Sequence, residues 1–286
     1  MSRVGCIVLT RGGRPDSLTR AIESVRSQVG VDLDLVVVGN GWKPTGLPAG
    51  VRSVELVVNR GIPAGRNGGV PHVSGDALLF LDDDAALVSD DVLARAMAMF
   101  TADPTIGAIQ ARPVDPVTRE TPRSFVPRLR VGDPGRDSDV TALWEGTVLV
   151  RREAFEQAGG WPELYLYMHE GVELAWRVID AGYRVRYAGD LLTYHEAKQP
   201  GRDPEYFWMQ ARNRVWLARR NLPVPLGAAY LTTWFLLTLV RVRGREARRQ
   251  AIAGWREGFR QPCGPRRPIS WRTVWRMTRA GRPPVI

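Results

Sequence analysis

The sequence predicts an α/β fold: a mostly parallel sheet flanked by helices, followed by a helical basic extension. Three observations carry that prediction. Continuous apolar runs bounded by turn residues recur at 6–9, 35–38, 54–58 and 77–81, and runs without alternation suit strands buried on both faces. Helix-like segments at 17–28, 64–73 and 90–102 separate and follow them, and strand–helix alternation builds βαβ units. The 286 residues are 44% hydrophobic and 24% charged, an ordinary globular balance in a chain long enough for one large domain and an appendage.

Each element has a local reason. In 17–28, Leu18, Ile22 and Val25 recur at helical spacing and share one face. Apolar residues at 106–109 and 142–150 continue the strands, with a short helix at 153–158 ended by Gly159-Gly160. The Pro-, Arg- and Asp-rich stretch 112–139 reads as a long, partly mobile loop of the kind that often covers a site. A helix at 172–181 ends at Gly182, and extended segments follow at 183–187 and 191–194. The catalytic-domain candidate is 1–200, leaving 201–286 as the extension. There, 206–221 is a Trp-containing basic helix broken by Pro223 and Pro225. The most apolar stretch, 226–240, falls short of the roughly 20 residues that span a bilayer, which favours a buried or interfacial helix.

Charge divides the chain. Of the net +10, residues from 200 onward carry 18 Arg against 4 acidic side chains, so the rest is net negative. Arg219, Arg220, Arg241, Arg243, Arg245, Arg248 and Arg249 flank the apolar stretch and, with Trp216, Trp234 and Trp255, predict contact with an anionic membrane surface. No nucleic-acid motif accompanies these arginines, so no nucleic-acid partner is expected. Cys6 and Cys263 stand far apart without CxxC spacing, which argues against a disulfide framework or a cysteine zinc site. The apolar run near the N-terminus is interrupted by Gly5 and too brief for a signal-peptide core. The expected location is the cytoplasm, peripheral on the inner face of the membrane.

The chemistry concentrates where strands end. Asp82-Asp83-Asp84 directly follows the apolar run ending at Leu81, and ligands of such sheets bind beyond the carboxyl ends of strands. Adjacent carboxylates repel unless they are solvated or face a cation. Mn²⁺ or Mg²⁺ suits them, being held by one or two carboxylates while ligating a diphosphate. An acidic turn capping the next helix is the structural alternative. Thr10 and Asn40 follow successive strands, Gly61 and Gly69 permit close backbone approach, and Arg66 and Asn67 open a helix able to face an anion.

Over residues 3–200 these motifs resemble the family 2 glycosyltransferases of GT-A, Rossmann-like fold. The resemblance rests on Ile7-Val8-Leu9-Thr10-Arg11, on Val36 to Gly41, on Asn59-Arg60-Gly61 with Ala64, Arg66-Asn67 and Gly69, and on the Asp run. It implies inverting transfer from a nucleotide sugar carrying UDP, dTDP or GDP to an acceptor hydroxyl, lipid-linked acceptors included. It also implies donor contacts from Thr10, Arg11, Asn40, Asn59, Gly61, Arg66, Asn67, Asp82 and Asp83, and a Mn²⁺ or Mg²⁺ ion at Asp84 with Asp82 and His195. His169-Glu170-Gly171-Val172-Glu173 is similar to the family's acidic segment, whose general base accepts the acceptor proton. Here Gly171 stands where the family commonly has Asp, so the base passes to Glu170, then Glu173, with His169 third. A Glu173–Arg177 pair on one helix is the structural reading of Glu173. Gly39 likewise replaces an Asp that contacts the nucleoside, and Trp144 and Trp161 lie where acceptor contacts are expected. The competing readings are a nucleotidyltransferase, for which Thr10-Arg11-Gly12-Gly13-Arg14 offers a faint phosphate loop, and a non-catalytic nucleotide-sugar or membrane-binding module.

Overall fold

The computed structural model describes residues 2–196 and 203–285. The first half alternates strands and helices: β1 (Arg3–Thr10), α1 (Pro15–Arg26), β2 (Asp32–Asn40), β3 (Arg52–Leu56), α2 (Ile62–Gly69) and β4 (Ala77–Asp82). There follow β5 (Ala85–Leu87), α3 (Val92–Ala102), β6 (Ile106–Val114), β7 (Ser138–Asp139), β8 (Thr147–Arg151), α4 (Arg152–Ala158), α5 (Glu170–Asp180) and β9 (Arg184–His195). The sheet runs β3-β2-β1-β4-β8-β6-β9-β5, with β7 on β9.

Period-two geometry divides each buried strand between two cores. Ile7, Leu9, Val36, Val38, Leu78 and Phe80 face α4 and α5, while Cys6, Val8, Val37, Leu79 and Leu81 face α1 and α3. Each full burial of such an aliphatic or aromatic side chain stabilises by roughly 1.5–3 kcal/mol. This two-sided burial is why the runs lack alternation.

The α/β class stands, and most of the paired residues of the sheet are in parallel ladders. β3, β2, β1 and β4 are parallel, as are β6 and β9, while β8 is antiparallel to both β4 and β6, the chain having reversed between β6 and β7 without a crossover helix. The expected segments 183–187 and 191–194 form one strand, β9. The 112–139 loop is tied down: the Gln110 side chain donates to the Phe125 carbonyl at 2.9 Å and accepts from Trp144 N–H at 2.7 Å.

The extension comprises α6 (Pro204–Asn221), α7 (Val224–Arg241), α8 (Arg245–Arg260) and α9 (Trp271–Arg279); the 200/201 boundary lies outside the described residues. α6 and α8 meet closely, since a Cβ at Gly258 would come within 2.6 Å of the Val215 side chain. α9 clasps α5 through Thr273 to Asp180 at 2.7 Å and Arg276 to the Ile179 carbonyl at 2.8 Å. Of the two expectations for 226–240, a buried or an interfacial helix, the buried one is overturned. α7 has 18 residues, a mean hydropathy of 1.3 and only 11% of its window buried, so by length and composition it is apolar enough to cross a membrane. Val224, Leu236 and Val240 are 71%, 56% and 75% exposed.

Candidate functional site

The Asp run sits at the end of β4, beside the ends of β1 and β9. Thr10 Oγ1 donates to Asp83 Oδ2 at 2.6 Å and caps Gly12 N–H at 3.0 Å. The Arg14 guanidinium bridges Asp83, at 3.2 Å, and Asp84. His195 Nε2 lies 3.3 Å from Asp84 Oδ1. Burial raises the Asp83 carboxyl despite Thr10 and Arg14. At Asp84 burial acts the same way, but His195 and Arg14 outweigh it and hold the carboxyl below its usual range. At His195, Asp84 in turn outweighs burial and raises the imidazole.

The donor chemistry of Asp84 and His195 fits a divalent ion. Two ligands each roughly 2.1 Å from one octahedral ion stand about 3 Å apart, close to the 3.3 Å between these atoms, and carboxylate with imidazole suits Mn²⁺. Among the described residues no three His, Cys, Asp or Glu side chains form an all-protein cage, so a bound ion would draw its remaining ligands from substrate and water. Asp82 is engaged elsewhere: its Oδ1 accepts from Arg66 at 2.7 Å.

Arg66 anchors a second group of charges. It is 1% exposed on α2, donates to the Glu145 carbonyl at 2.9 Å and stacks 4.6 Å over Trp161. Glu145 and Glu170 both lie within its field. Burial, then the Glu145 charge, pushes the Glu170 carboxyl up to about 8, with Arg66 opposing. Burial also raises Glu145, against Arg66 and the Gly171 N–H. Glu170 is 2% exposed and its Oε2 has no hydrogen-bond partner among the described residues.

At both departures from the family pattern the space a Cβ would take is already filled, by the Glu145 side chain at Gly171 and by backbone at Gly39. A Cβ at Gly171 would collide with Glu145 Oε1, which accepts from Gly171 N–H at 2.7 Å. A carboxylate thus occupies the space beside residue 171, delivered from the loop before β8 instead of from α5. Likewise, a Cβ at Gly39 would collide with the Trp42 carbonyl, where the chain turns back after β2.

The remaining predicted residues divide. Thr10, Asp82, Asp83, Asp84, His195, Arg66 and Glu170 converge. Arg11 is exposed, and Arg14, absent from the predicted set, is the arginine that reaches the carboxylates. Asn40 braces the following turn, donating to the Gly61 carbonyl and accepting from Arg60 N–H, both at 2.9 Å. Asn59 accepts from Gly61 N–H at 3.0 Å. Gly61, at φ 85°, passes so near Leu166 that a Cβ would lie 2.6 Å from its Cα. Asn67 is engaged with Trp161 and Glu163.

Glu173 lies away from this group, and not against Arg177. It holds Arg220 at 2.8 Å, Asn221 at 2.7 Å and Tyr165 at 2.5 Å, because α6 carries the first two across its side of α5 and Tyr165 comes from the turn just before α5. Burial, then Arg214, lowers His169 to about 3. Trp161 is core at 1% exposure, and Trp144 packs edge-on to His195 at 4.7 Å. Glu145 was missed as a candidate base because its partner in the pair lies 25 residues along the chain; the glycine at 171 was the only local sign.

Residues 6–159 match the family model described as Glycosyl transferase family 2. Pre-mycofactocin glycosyltransferases of two Mycobacterium tuberculosis strains are 27% identical over 202 residues, which is 66% of this chain and 42% of theirs. The chain therefore spans well under half the length of these curated relatives. Among solved structures, a Pyrobaculum calidifontis mannosyltransferase in complex with GDP-Man and Mn²⁺ aligns over 98% of this chain and 73% of its own, at TM-score 0.55 and 16% identity. S. aureus TarS in complex with UDP-GlcNAc covers 96% and 83%, at TM-score 0.59 and 15% identity. GalNAc-T7 with UDP, GalNAc and Mn²⁺ covers 91% and 56%, at TM-score 0.65 and 13% identity. The likeness is one of fold, the GT-A type.

Proposed function

We propose, from the premise that the chain belongs to glycosyl transferase family 2, that it transfers a sugar with inversion from a UDP, dTDP or GDP sugar to an acceptor hydroxyl, with Glu145 as the base. The observation that carries this reading is the Glu145 carboxylate in the space beside Gly171, next to Glu170. An alcohol attacking an anomeric carbon must lose its proton as the bond forms, and a carboxylate within reach accepts it. The pair titrates as a unit. Burial raises both carboxyls, so the pair shares a proton, and Arg66 holds the Glu145 backbone and the Asp82 carboxylate in place. Thr10 and Asp83 face the nucleoside side. Asp84 and His195 would hold Mn²⁺ or Mg²⁺, which when bound offsets the charge that develops on the departing diphosphate.

Residues 1–200 form the catalytic unit in this reading, and 201–286 bring it to a membrane. The exposed apolar face of α7 beside Arg241, Arg243, Arg245, Arg248 and Arg249 supports peripheral attachment to anionic lipid on the cytoplasmic side. Cell-envelope glycan or glycolipid synthesis fits that placement.

The base is tested by replacement and relocation. Glu145→Gln lowers turnover by at least ~100-fold, the low end of general-base contributions. Glu145→Ala combined with Gly171→Asp returns a carboxylate to the vacated space and recovers part of the loss. Full activity in Glu145→Gln would remove Glu145 from the mechanism.

A further inference from the structure

Two arginines pair with the Asp run, and they differ in how firmly they are held. The Arg66 side chain is 1% exposed and is fixed by Asp82, by the Glu145 carbonyl and by the Trp161 face. The Arg14 side chain is 50% exposed, although its partners Asp83 and Asp84 are only 13% and 18% exposed. Its Nη1 serves both carboxylates, Asp83 Oδ1 at 3.2 Å and Asp84 Oδ2 in direct contact. Among the described residues its guanidinium has no other partner. Arg14 stands at the N-cap of α1, at the end of a turn through Gly12 and Gly13. Gly12 takes φ 76°, and a Cβ at Gly13 would meet nothing within 4 Å. The side chain therefore hangs from a turn with free space beside it, and ion pairs this exposed are weakly held.

Asp84 is the shared residue. Its Oδ1 faces His195 Nε2 at 3.3 Å, and its Oδ2 carries Arg14. The carboxylate suited to hold a divalent ion with His195 thus already has a cation on its second oxygen. Asp84 and His195 also border a cavity of about 460 Å³ that Arg14 does not line, so the pair is open to an ion on another side. An ion bound there would stand about 5 Å from the guanidinium, one carboxylate width away, where a divalent and a unit charge repel appreciably even at the dielectric of water.

We infer that Arg14 is a built-in competitor of the divalent ion: it serves Asp83 and Asp84 as counter-ion, lowers the affinity of Asp84 and His195 for Mn²⁺ or Mg²⁺, and gives up Asp84 when the ion binds. That the ion serves sugar transfer rests on the glycosyltransferase reading; the competition does not. The test titrates Mn²⁺ alone into the full chain, without nucleotide or acceptor, and follows free Mn²⁺ by electron paramagnetic resonance. Arg14→Gln, or Arg14→Met should the first variant fail to fold, binds Mn²⁺ about tenfold tighter than the native chain, the effect of removing one unit charge about 5 Å from a divalent ion. Arg14→Lys keeps the charge and stays within about threefold of the native affinity. Arg26→Gln removes the same charge from an exposed position at the other end of α1 and leaves Mn²⁺ affinity unchanged. Adding Asp84→Asn to Arg14→Gln abolishes the gain. Unchanged or weaker binding in Arg14→Gln would mean that Arg14 only holds the carboxylates in place, and it overturns the inference. So do an equal gain in Arg26→Gln, a gain that survives Asp84→Asn, and a lack of Mn²⁺ binding by every variant. Mn²⁺ binding in the expected pattern by a protein that transfers no sugar would reject the glycosyltransferase reading and leave the competition intact.

Discussion

Replacing Glu170 by Gln separates stability from chemistry. The Glu170 carboxyl is 2% exposed and titrates at about 8 against an ordinary 4.5, so the native state binds its proton more tightly than the unfolded chain does. The stability this contributes is complete below pH 4.5 and is lost as pH rises toward about 8. Each pH unit in that window costs about 1.4 kcal/mol for one such group, so the native protein gives up a few kcal/mol across it. Gln is isosteric with the protonated acid and never ionises. Glu170→Gln therefore matches the native protein at pH 5 and exceeds it at pH 8, by several degrees in Tm at ~2–4 °C per kcal/mol for a domain of roughly this size. Thermal unfolding followed by circular dichroism at pH 5, 6.5 and 8 reads this directly. A Tm difference that is constant with pH, or that shrinks as pH rises, would refute the buried-acid account. Because Gln reproduces the proton-bearing form, turnover near neutral pH stays largely intact, unlike that of Glu145→Gln.

Two further outcomes follow from the packing around α5 and α7. Glu173→Gln leaves the Arg220 guanidinium without its carboxylate in a part-buried network; it destabilises by ~3 kcal/mol or more, seen as a lower Tm with turnover per folded molecule unchanged. Leu236→Asp with Val240→Asp, both on the exposed face of α7, reduces sedimentation with phosphatidylglycerol vesicles and leaves Tm unchanged; unaltered sedimentation rejects the membrane contact. These surface changes are cleaner than deleting 226–286, which would strip α9 from α5.

The first half of the fold was legible because it is governed locally. Apolar runs at 6–9, 35–38 and 77–81 are buried strands, and Leu18, Ile22 and Val25 face the core as their spacing requires. The antiparallel direction of β8 was hidden because the reversal lies in the irregular stretch between β6 and β7, which carries no local signal of strand direction. The exposed face of α7 was hidden for a related reason, since an apolar helix reads alike whether covered or bare. In the site, the Asp run and His195 were visible as residues at strand ends. Asn40 and Asn67 carried the right chemistry, but their amides are engaged in bracing loops, a choice set by tertiary partners. Glu145 became visible only when the fold brought it against Gly171.

The central claim is nucleotide-sugar transfer at the Asp82–Asp84 strand end. Its most direct measurement is nucleoside diphosphate release from UDP, dTDP and GDP sugars with Mn²⁺ in the presence of an acceptor hydroxyl, comparing the native chain with Asp84→Asn. The account predicts release from one donor class that is abolished by EDTA and by Asp84→Asn. Release of pyrophosphate instead, or undiminished turnover in Asp84→Asn with EDTA present, would contradict it.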